Sequence, residues 1–381
     1  LAHRNTILHQ ILQLLSRHEF ESLANQHHTG QRLRKMTRWG QFVALLFGQL
    51  SGRNSLRDII DHLSIQQHKR YHHGIGNITR SSLARVNEQQ PATLYEALFY
   101  KLLNKCHHHR PGHKFRFKNP LYSLDASVID LCLSMFPWAD FRKSKGAIKL
   151  HVGFDHNGYL PAFMSITEGK CHEIQIARSL DLPKGSILAV DRGYTDYRWF
   201  NTLNEQGIFF VTRLKKQAKY RVLKRQPTDN SSTVTSDQHI QLTSQQGAVY
   251  KGHLRRIGFK CPETGNQYYF LTNNSKLAAS TIAAIYKERW KIELFFKWIK
   301  QNLKIKSFVG TSKNAVLTQI WVAMCAYLLV AYLKFSHGIT LSITQIARLI
   351  QLTLFERREL KALFTPSPPN NTDDHKQMRM L

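Results

Sequence analysis

The chain has 381 residues, 42% of them hydrophobic, and 54 Lys and Arg stand against 25 Asp and Glu, a formal charge of +29 with its 20 His neutral. That length exceeds one small domain and supplies ample apolar surface for a core, while a positive excess spread along the chain calls for a polyanionic partner, nucleic acid first and an anionic membrane second. The five Cys are scattered without a C-x-x-C pair, which argues against a disulfide framework or zinc knuckle and fits a reducing cytosol.

Up to about residue 115 the periodicity is helical: TILHQILQLLSR, TRWGQFVALLFGQL, then SLRDIIDHL opened by the cap Ser55. After the Gly74-x-Gly76 break, Thr79 or Ser81 caps SSLARVNEQQ, Pro91 ends it and TLYEALFYKLL follows. Short helices, Gly turns and a polar, basic penultimate helix are compatible with a helix-turn-helix DNA reader, with Arg80, Arg85, Asn87 and Gln89 as contact candidates. A helical bundle with a basic surface accounts for any one of those residues equally well. The run from Cys106 to His109 tempts a metal assignment, but consecutive ligands do not easily close a tetrahedron and no partner pair is visible.

The pattern changes at Pro120. LYSLDASVIDLCLS reads as a strand, and GAIKLHVGF, DHNG and YLPAFMSITEG read as strand, turn and strand. A helix in HEIQIARSL, a strand in SILAVD, a helix in YRWFNTLNEQ and a strand in IFFVTRL follow. Three strands, then helix, strand, helix, strand is the ribonuclease H-like order. From about Tyr220 to Asn274 the chain turns polar and rich in Thr, Ser and Gln, with strands in GAVYKGHLRRIGF and QYYFLTN, an inserted β subdomain. Ser280 or Thr281 opens a long helix containing YKERWKIELFFKWIK, and a buried helix at 315–334 comes next. Its apolar run, 320–333, is shorter than the ~20 residues of a membrane helix, and no secretory leader is expected from the opening residues. ITQIARLIQLTLFERRELKALF is a last helical piece before TPSPPNNTDDHK, whose composition predicts disorder. The expected partition is a helical DNA-binding domain at 1–118, a ribonuclease H-like α/β domain at 119–219 and 275–335 with helices on both faces of a mixed sheet, the insertion at 220–274, a helical segment at 336–365 and a disordered tail at 366–381.

Within the long helix Tyr286, Arg289, Glu293 and Lys300 fall in an arc of about 60°, at roughly 100° per residue. The opposite side carries Ile292, Leu294, Phe295, Trp298, Ile299 and Leu303, so one face suits a core and the other gathers a carboxylate, two cations and a phenol. Such a stripe fits a metal ligand bordered by phosphate-binding groups, or a solvated face of helical salt pairs. Upstream, Asp125 interrupts an apolar strand, where a carboxylate costs much unless paired or metal-bound. Asp191 ends the strand SILAV before Arg192-Gly193, where a turn residue is the simpler reading. The first and fourth strands of a ribonuclease H-like sheet are neighbours, which sends both carboxylates to one edge, and Glu293 from a helix across that edge completes the cluster. Hard oxygen ligands of this kind select Mg²⁺ or Mn²⁺, and two ions about 3.5–4 Å apart activate a water or 3′ hydroxyl and stabilise the leaving oxygen of a phosphodiester. Asp130, Asp155 and Glu168 compete for a metal site; Asp155 is most simply a turn residue and Glu168 a strand-end residue.

The order SLDAS, AVDRGYTD and the Tyr286/Arg289/Glu293/Lys300 string resembles the DDE transposases of bacterial insertion-sequence family four, over roughly residues 119–335. The segment around TRWGQFVALLFGQLSGRNSLRDI resembles the leading domain of one branch. All four positions and all three spacings of the string agree with the family signature, and the 102-residue interval from Asp191 to Glu293 suits its β insertion. The resemblance implies Asp125, Asp191 and Glu293 as ligands of two Mg²⁺ ions, with Mn²⁺ as a substitute. It implies Tyr286, Arg289 and Lys300 as holders of transposon-end phosphates, with Arg192, Trp290 and Lys297 as further DNA contacts. It also implies cutting at terminal inverted repeats and joining of 3′ ends to a target, by a homodimer on double-stranded DNA in the bacterial cytoplasm and nucleoid, away from any membrane. Some members cut through a hairpin, which benefits from an aromatic platform for a flipped base, commonly a Trp of the insertion. Here the insertion offers Tyr268, Tyr269 and Phe270 but no Trp. Two rivals share features of the chain: a DNA-binding protein of transposase descent without catalysis, and a stand-alone ribonuclease H-like nuclease.

Overall fold

A computed structural model describes residues 5–31, 33–34, 36–142, 145–228, 233–303, 305 and 308–365, so the tail expected to be disordered, 366–381, lies outside the described residues. Before Pro120 the chain forms α1 (Ile7–Leu12), α2 (Arg17–Gln26), α3 (Arg38–Ser51), α4 (Leu56–Ile65), α5 (Gln67–Arg70), α6 (Arg80–Gln89) and α7 (Thr93–His107). Thr6, Ser16, Thr37, Ser55 and Thr79 each accept a backbone N–H three residues on, which fixes where five of these helices start. Helix α3 is buried from Arg38 to Leu50 and stops at Gly52, whose φ of +73° suits a residue without Cβ. On α6, Arg80, Arg85 and Gln89 are exposed, but Asn87 is not a surface contact. Its side chain points inward and accepts from Gln41 Nε2 at 2.7 Å.

The strands and later helices are β1 (Leu121–Leu131), β2 (Asp140–Arg142), β3 (Lys145–Asp155), β4 (Leu160–Glu168), α8 (Glu173–Arg178), β5 (Ile187–Val190), α9 (Tyr197–Glu205), β6 (Phe209–Arg213), β7 (Tyr220–Gln226), β8 (Val234–Leu242), β9 (Leu254–Lys260), β10 (Gln267–Thr272), α10 (Ala279–Glu288), α11 (Trp290–Asn302), α12 (Lys313–Ser336) and α13 (Ile343–Thr353). They build one mixed sheet in the order β3-β1-β5-β6-β10-β9-β8-β7, with β2 and β4 both on the outer side of β3. Strand β1 is antiparallel to β3 and parallel to β5, and β5 is parallel to β6. This is the ribonuclease H-like arrangement expected from the element order.

Alternation along β5 divides the sheet's two faces. Ile187 and Ala189 pack with Ile282 and Ile285 of α10, whereas Leu188 and Val190 pack with Trp199, Phe200 and Leu203 of α9. Strands β7 to β10 extend this same sheet through β10, whose Phe270 and Thr272 pair with Arg213 and Val211 of β6. Two of those strands, β7 and β8, lie in the polar stretch where no strand was predicted. On β8 the inward apolar residues are Val234, Ile240 and Leu242, whereas β7 buries none, and register shifts at Val222/Lys224 and Val234/Ser236, with interleaved Thr, Ser and Gln, leave no clean alternation to read in the sequence. The expected strand in GAVYKGHLRRIGF is confined to its second half, because Gly247–Val249 form a 3-10 turn.

Helix α12 has 24 residues and is long and apolar enough to cross a membrane by length and composition alone, longer than its apolar run suggested. It lies in the largest core, packed against α3, α6, α7 and α13. Cys325 donates to the Tyr95 carbonyl and Cys106 to the Leu328 carbonyl, so both thiols are core groups. One continuous apolar cluster runs from Ile7 through Phe42, Leu102, Phe154 and Phe295 to Phe364. The N-terminal helices therefore share their core with the sheet and with the helices that follow it.

Candidate active site

Register places the first two acids. Leu124 of β1 pairs with Val190 of β5, so Asp125 and Asp191 follow one step further along neighbouring parallel strands. Asp125 accepts from the next residue's backbone N–H at 2.8 Å, and Asp191 accepts from Gly193 N at 3.3 Å as the cap of a 3-10 turn. Glu293 lies in the first turn of α11.

The Tyr286/Arg289/Glu293/Lys300 string does not occupy one unbroken helix. At Arg289 the backbone bonds shorten to i→i−3, with Arg289 N to Tyr286 O at 3.2 Å and Ile292 N to Arg289 O at 3.1 Å, and α10 gives way to α11. The elbow is anchored by Glu288, a buried carboxylate that sequence reasoning passed over. It accepts from Lys114 Nζ at 2.5 Å and from the Tyr159 hydroxyl at 3.0 Å. Burial pushes its carboxyl up, but those two donors hold it below the usual range.

From this elbow Arg289 reaches both Asp125 (Nη1 to Oδ2, 3.4 Å) and Glu293 (Nη2 to Oε1, 2.7 Å). The Tyr286 hydroxyl donates to Asp191 Oδ1 at 3.2 Å, and Lys300 Nζ donates to the Val128 carbonyl of β1 at 2.8 Å. All four members of the string thus converge with Asp125 and Asp191 on one edge of the sheet. Burial raises the Asp125 carboxyl to about 6; the Ala126 N–H and Arg289 pull it down, and Glu293 and Glu173 push it up. Burial likewise lifts the Tyr286 phenol to about 12, which keeps it a donor. The Arg289 guanidinium is held charged, since Tyr286, Glu293 and Asp125 outweigh the cost of its burial. Beside them Tyr194 is buried, its phenol raised by burial and by Asp125, Glu173 and Asp191, and among the described residues its hydroxyl has no hydrogen-bond partner.

Among the described residues no group of three or more His, Cys, Asp or Glu stands ready to hold a metal ion. Arg289, lying against both Asp125 and Glu293, is the physical reason the acids share an edge without closing into a cluster. The competing carboxylates lie elsewhere: Asp155 is buried against Arg110, Glu168 faces Lys313 at 3.3 Å, and Asp130 is exposed. Arg192, Trp290 and Lys297 are exposed around the edge. Leu294, assigned to the core face, is instead 44% exposed beside the 56% exposed Trp290, one helical turn apart. Of the insertion's aromatics, Tyr268 and Phe270 stack toward Tyr286, while Tyr269 faces the other way under Arg256 at 3.9 Å.

Sheet order and the position of the acids define a ribonuclease H-like protein with a carboxylate-rich edge. The family described as "Transposase DDE domain" matches residues 116–329, and a second, described as "Domain of unknown function (DUF4372)", matches residues 3–76. The chain belongs to the DDE transposases. It is 34% identical over 297 residues to a candidate transposase of Sinorhizobium fredii, covering 76% of this chain and 81% of that one. It is 28% identical over 263 residues to a candidate transposase of an insertion sequence element in Geobacillus stearothermophilus, covering 68% and 69% of the two chains. A solved synaptic complex of the piggyBac transposase with hairpin DNA aligns at a TM-score of 0.43 and 13% identity, over 97% of this chain and 85% of that one.

Proposed function

We propose that this protein is an insertion-sequence transposase that cuts and joins DNA at the edge formed by Asp125, Asp191 and Glu293. The observation that carries the reading is the register of Leu124 with Val190, which sets two acids on adjacent strands, with Glu293 linked to the first of them through Arg289. An all-oxygen donor set suits Mg²⁺ or Mn²⁺, and the raised Asp125 carboxyl shows that Arg289 alone does not offset its burial. When bound, two such ions would supply an activated water or 3′ hydroxyl and charge stabilisation at the leaving oxygen.

The other groups serve the DNA. A phosphate entering the edge offers Arg289 an alternative partner, so the guanidinium leaves one carboxylate as it takes the DNA backbone. Tyr286 orients Asp191, Lys300 and Lys297 add positive charge along the approach, and Arg192 adds it next to Asp191, with Trp290 as an exposed stacking face. In this reading residues 1–118 bind element ends through the exposed Arg80, Arg85 and Gln89, residues 220–274 form the insertion, and two copies act on two ends in a synapse. The test is incubation of purified protein with labelled element ends and Mg²⁺ or Mn²⁺, comparing wild type with Asp125→Asn and Glu293→Gln. Cleavage by the wild type that both variants lose is expected; cleavage that persists in both rejects the site.

A further inference from the structure

On the side of Asp191 away from Tyr286 lies a groove of about 1340 Å³ whose walls come from different parts of the sheet. One wall is the turn and start of α9 after β5, with Arg192 and Arg198; the other is the β6–β7 connection, with Lys215 and Lys216, and the connection after β8. All four cations are exposed, and among the described residues none of them pairs with a carboxylate. The acid Asp196, also in the groove, is already taken by Arg178 at 2.6 Å, so the net field is positive. Helix α9 packs on the sheet face opposite α10, so this groove and the Tyr286 stripe flank the edge from two sides.

We infer that this groove holds the donor DNA flank, the segment that continues past the scissile phosphate away from the element. The inference rests on the transposase reading and adds the path of the strand. A strand gripped at Tyr286, Arg289 and Lys300 and cut at the acids must leave on the other side, and Asp191 is both a member of the edge and a lining residue of the groove. Unpaired cations contiguous with the cut site fit the backbone of that same strand, because phosphates release counterions to whichever Lys or Arg follows them.

The experiment uses the full chain without divalent metal, so that DNA stays uncut, and two duplexes: an element end finishing at the scissile position, and the same end extended by about ten base pairs, one helical turn. Affinity is read by fluorescence anisotropy across a salt series. Wild type should bind the extended duplex more tightly, and the triple variant Arg198→Ala, Lys215→Ala, Lys216→Ala should lose that increment, roughly tenfold, with a shallower salt slope. It should bind the finished end as wild type does, which also reports that it is folded. No increment in wild type, an increment kept by the variant, or equal losses on both duplexes would each overturn the proposal. A variant defective only in capturing a second duplex added to a preformed end complex would assign the groove to target DNA instead. A wild-type protein with no preference for the element end over random duplex would reject the transposase reading itself, a result distinct from the other four.

Discussion

Arg289 Nη1 stands 3.4 Å from Asp125 Oδ2 across 164 positions of sequence, so the cation that faces the most deeply set acid of the edge comes from the helix elbow. That pairing is incomplete compensation, and it makes the acid a source of instability as well as a candidate ligand.

The sign follows from the direction of the Asp125 shift, from 3.8 to about 6. A carboxyl raised on folding binds its proton more tightly in the folded chain, so its penalty is absent well below the unfolded value, builds as pH rises from there to about 6, and is fully present above it. Asp125→Asn should therefore stabilise the protein at pH 7 by on the order of 1 kcal/mol and change little at pH 4, while abolishing cleavage. Thermal melts at both pH values check this; a lower melting temperature for the variant at pH 7 contradicts it.

Metal binding should reverse that balance. Mg²⁺ or Mn²⁺ added to wild type should raise the melting temperature, by the equivalent of about 2.7 kcal/mol at a hundredfold excess over Kd, and Asp125→Asn should show little response. Differential scanning fluorimetry with a metal titration measures both; an equal rise in the two proteins places the ion elsewhere.

Glu288 acts in the opposite sense to Asp125. Its carboxyl is held low, so it contributes stability that is present above the unfolded value and lost as pH falls through the folded one. Glu288→Gln should destabilise the fold by about 1–3 kcal/mol at pH 7, because Lys114 and Tyr159 lose a charged acceptor. Since the elbow it anchors aims Arg289, cleavage should also fall. Chemical denaturation and end cleavage report the two effects, and unchanged cleavage would show that the elbow holds without its anchor.

Tyr286→Phe isolates the hydroxyl. The ring should keep its place against Phe270, 4.9 Å away between centroids, so stability should change by less than about 1.5 kcal/mol. Losing the donor to Asp191 should slow cleavage roughly tenfold. Single-turnover cleavage is the measurement, and a wild-type rate would make the contact dispensable.

What the sequence reveals here depends on how local the cause is. The neighbouring places of Asp125 and Asp191 follow from strand order, and that order is written in period-two alternation and turn residues around Asp155 and Asp191. The elbow at Arg289 is not written locally, because YKERWKIELFFKWIK is a sound helical pattern throughout. It depends on Lys114 and Tyr159, more than a hundred residues upstream, meeting Glu288. Asn87 misleads for a similar reason: a polar residue on a basic helix reads as surface until Gln41 of α3 supplies its partner.

The enclosure of α12 has a consequence for synthesis. The helices that wrap it, α3, α6 and α7, leave the ribosome more than two hundred residues before it does. Until residues 313–336 emerge, these helices pack only on one another and on α2 and α4 and lack the helix at the centre of their core, and contacts so distant along the chain form slowly. Helix α12 also meets α13, and α11 through Tyr327 against Phe295 and Trp298, so it joins the early helices to the late ones. The core of this protein therefore closes between segments made far apart in time, which places its last large step of burial late in synthesis.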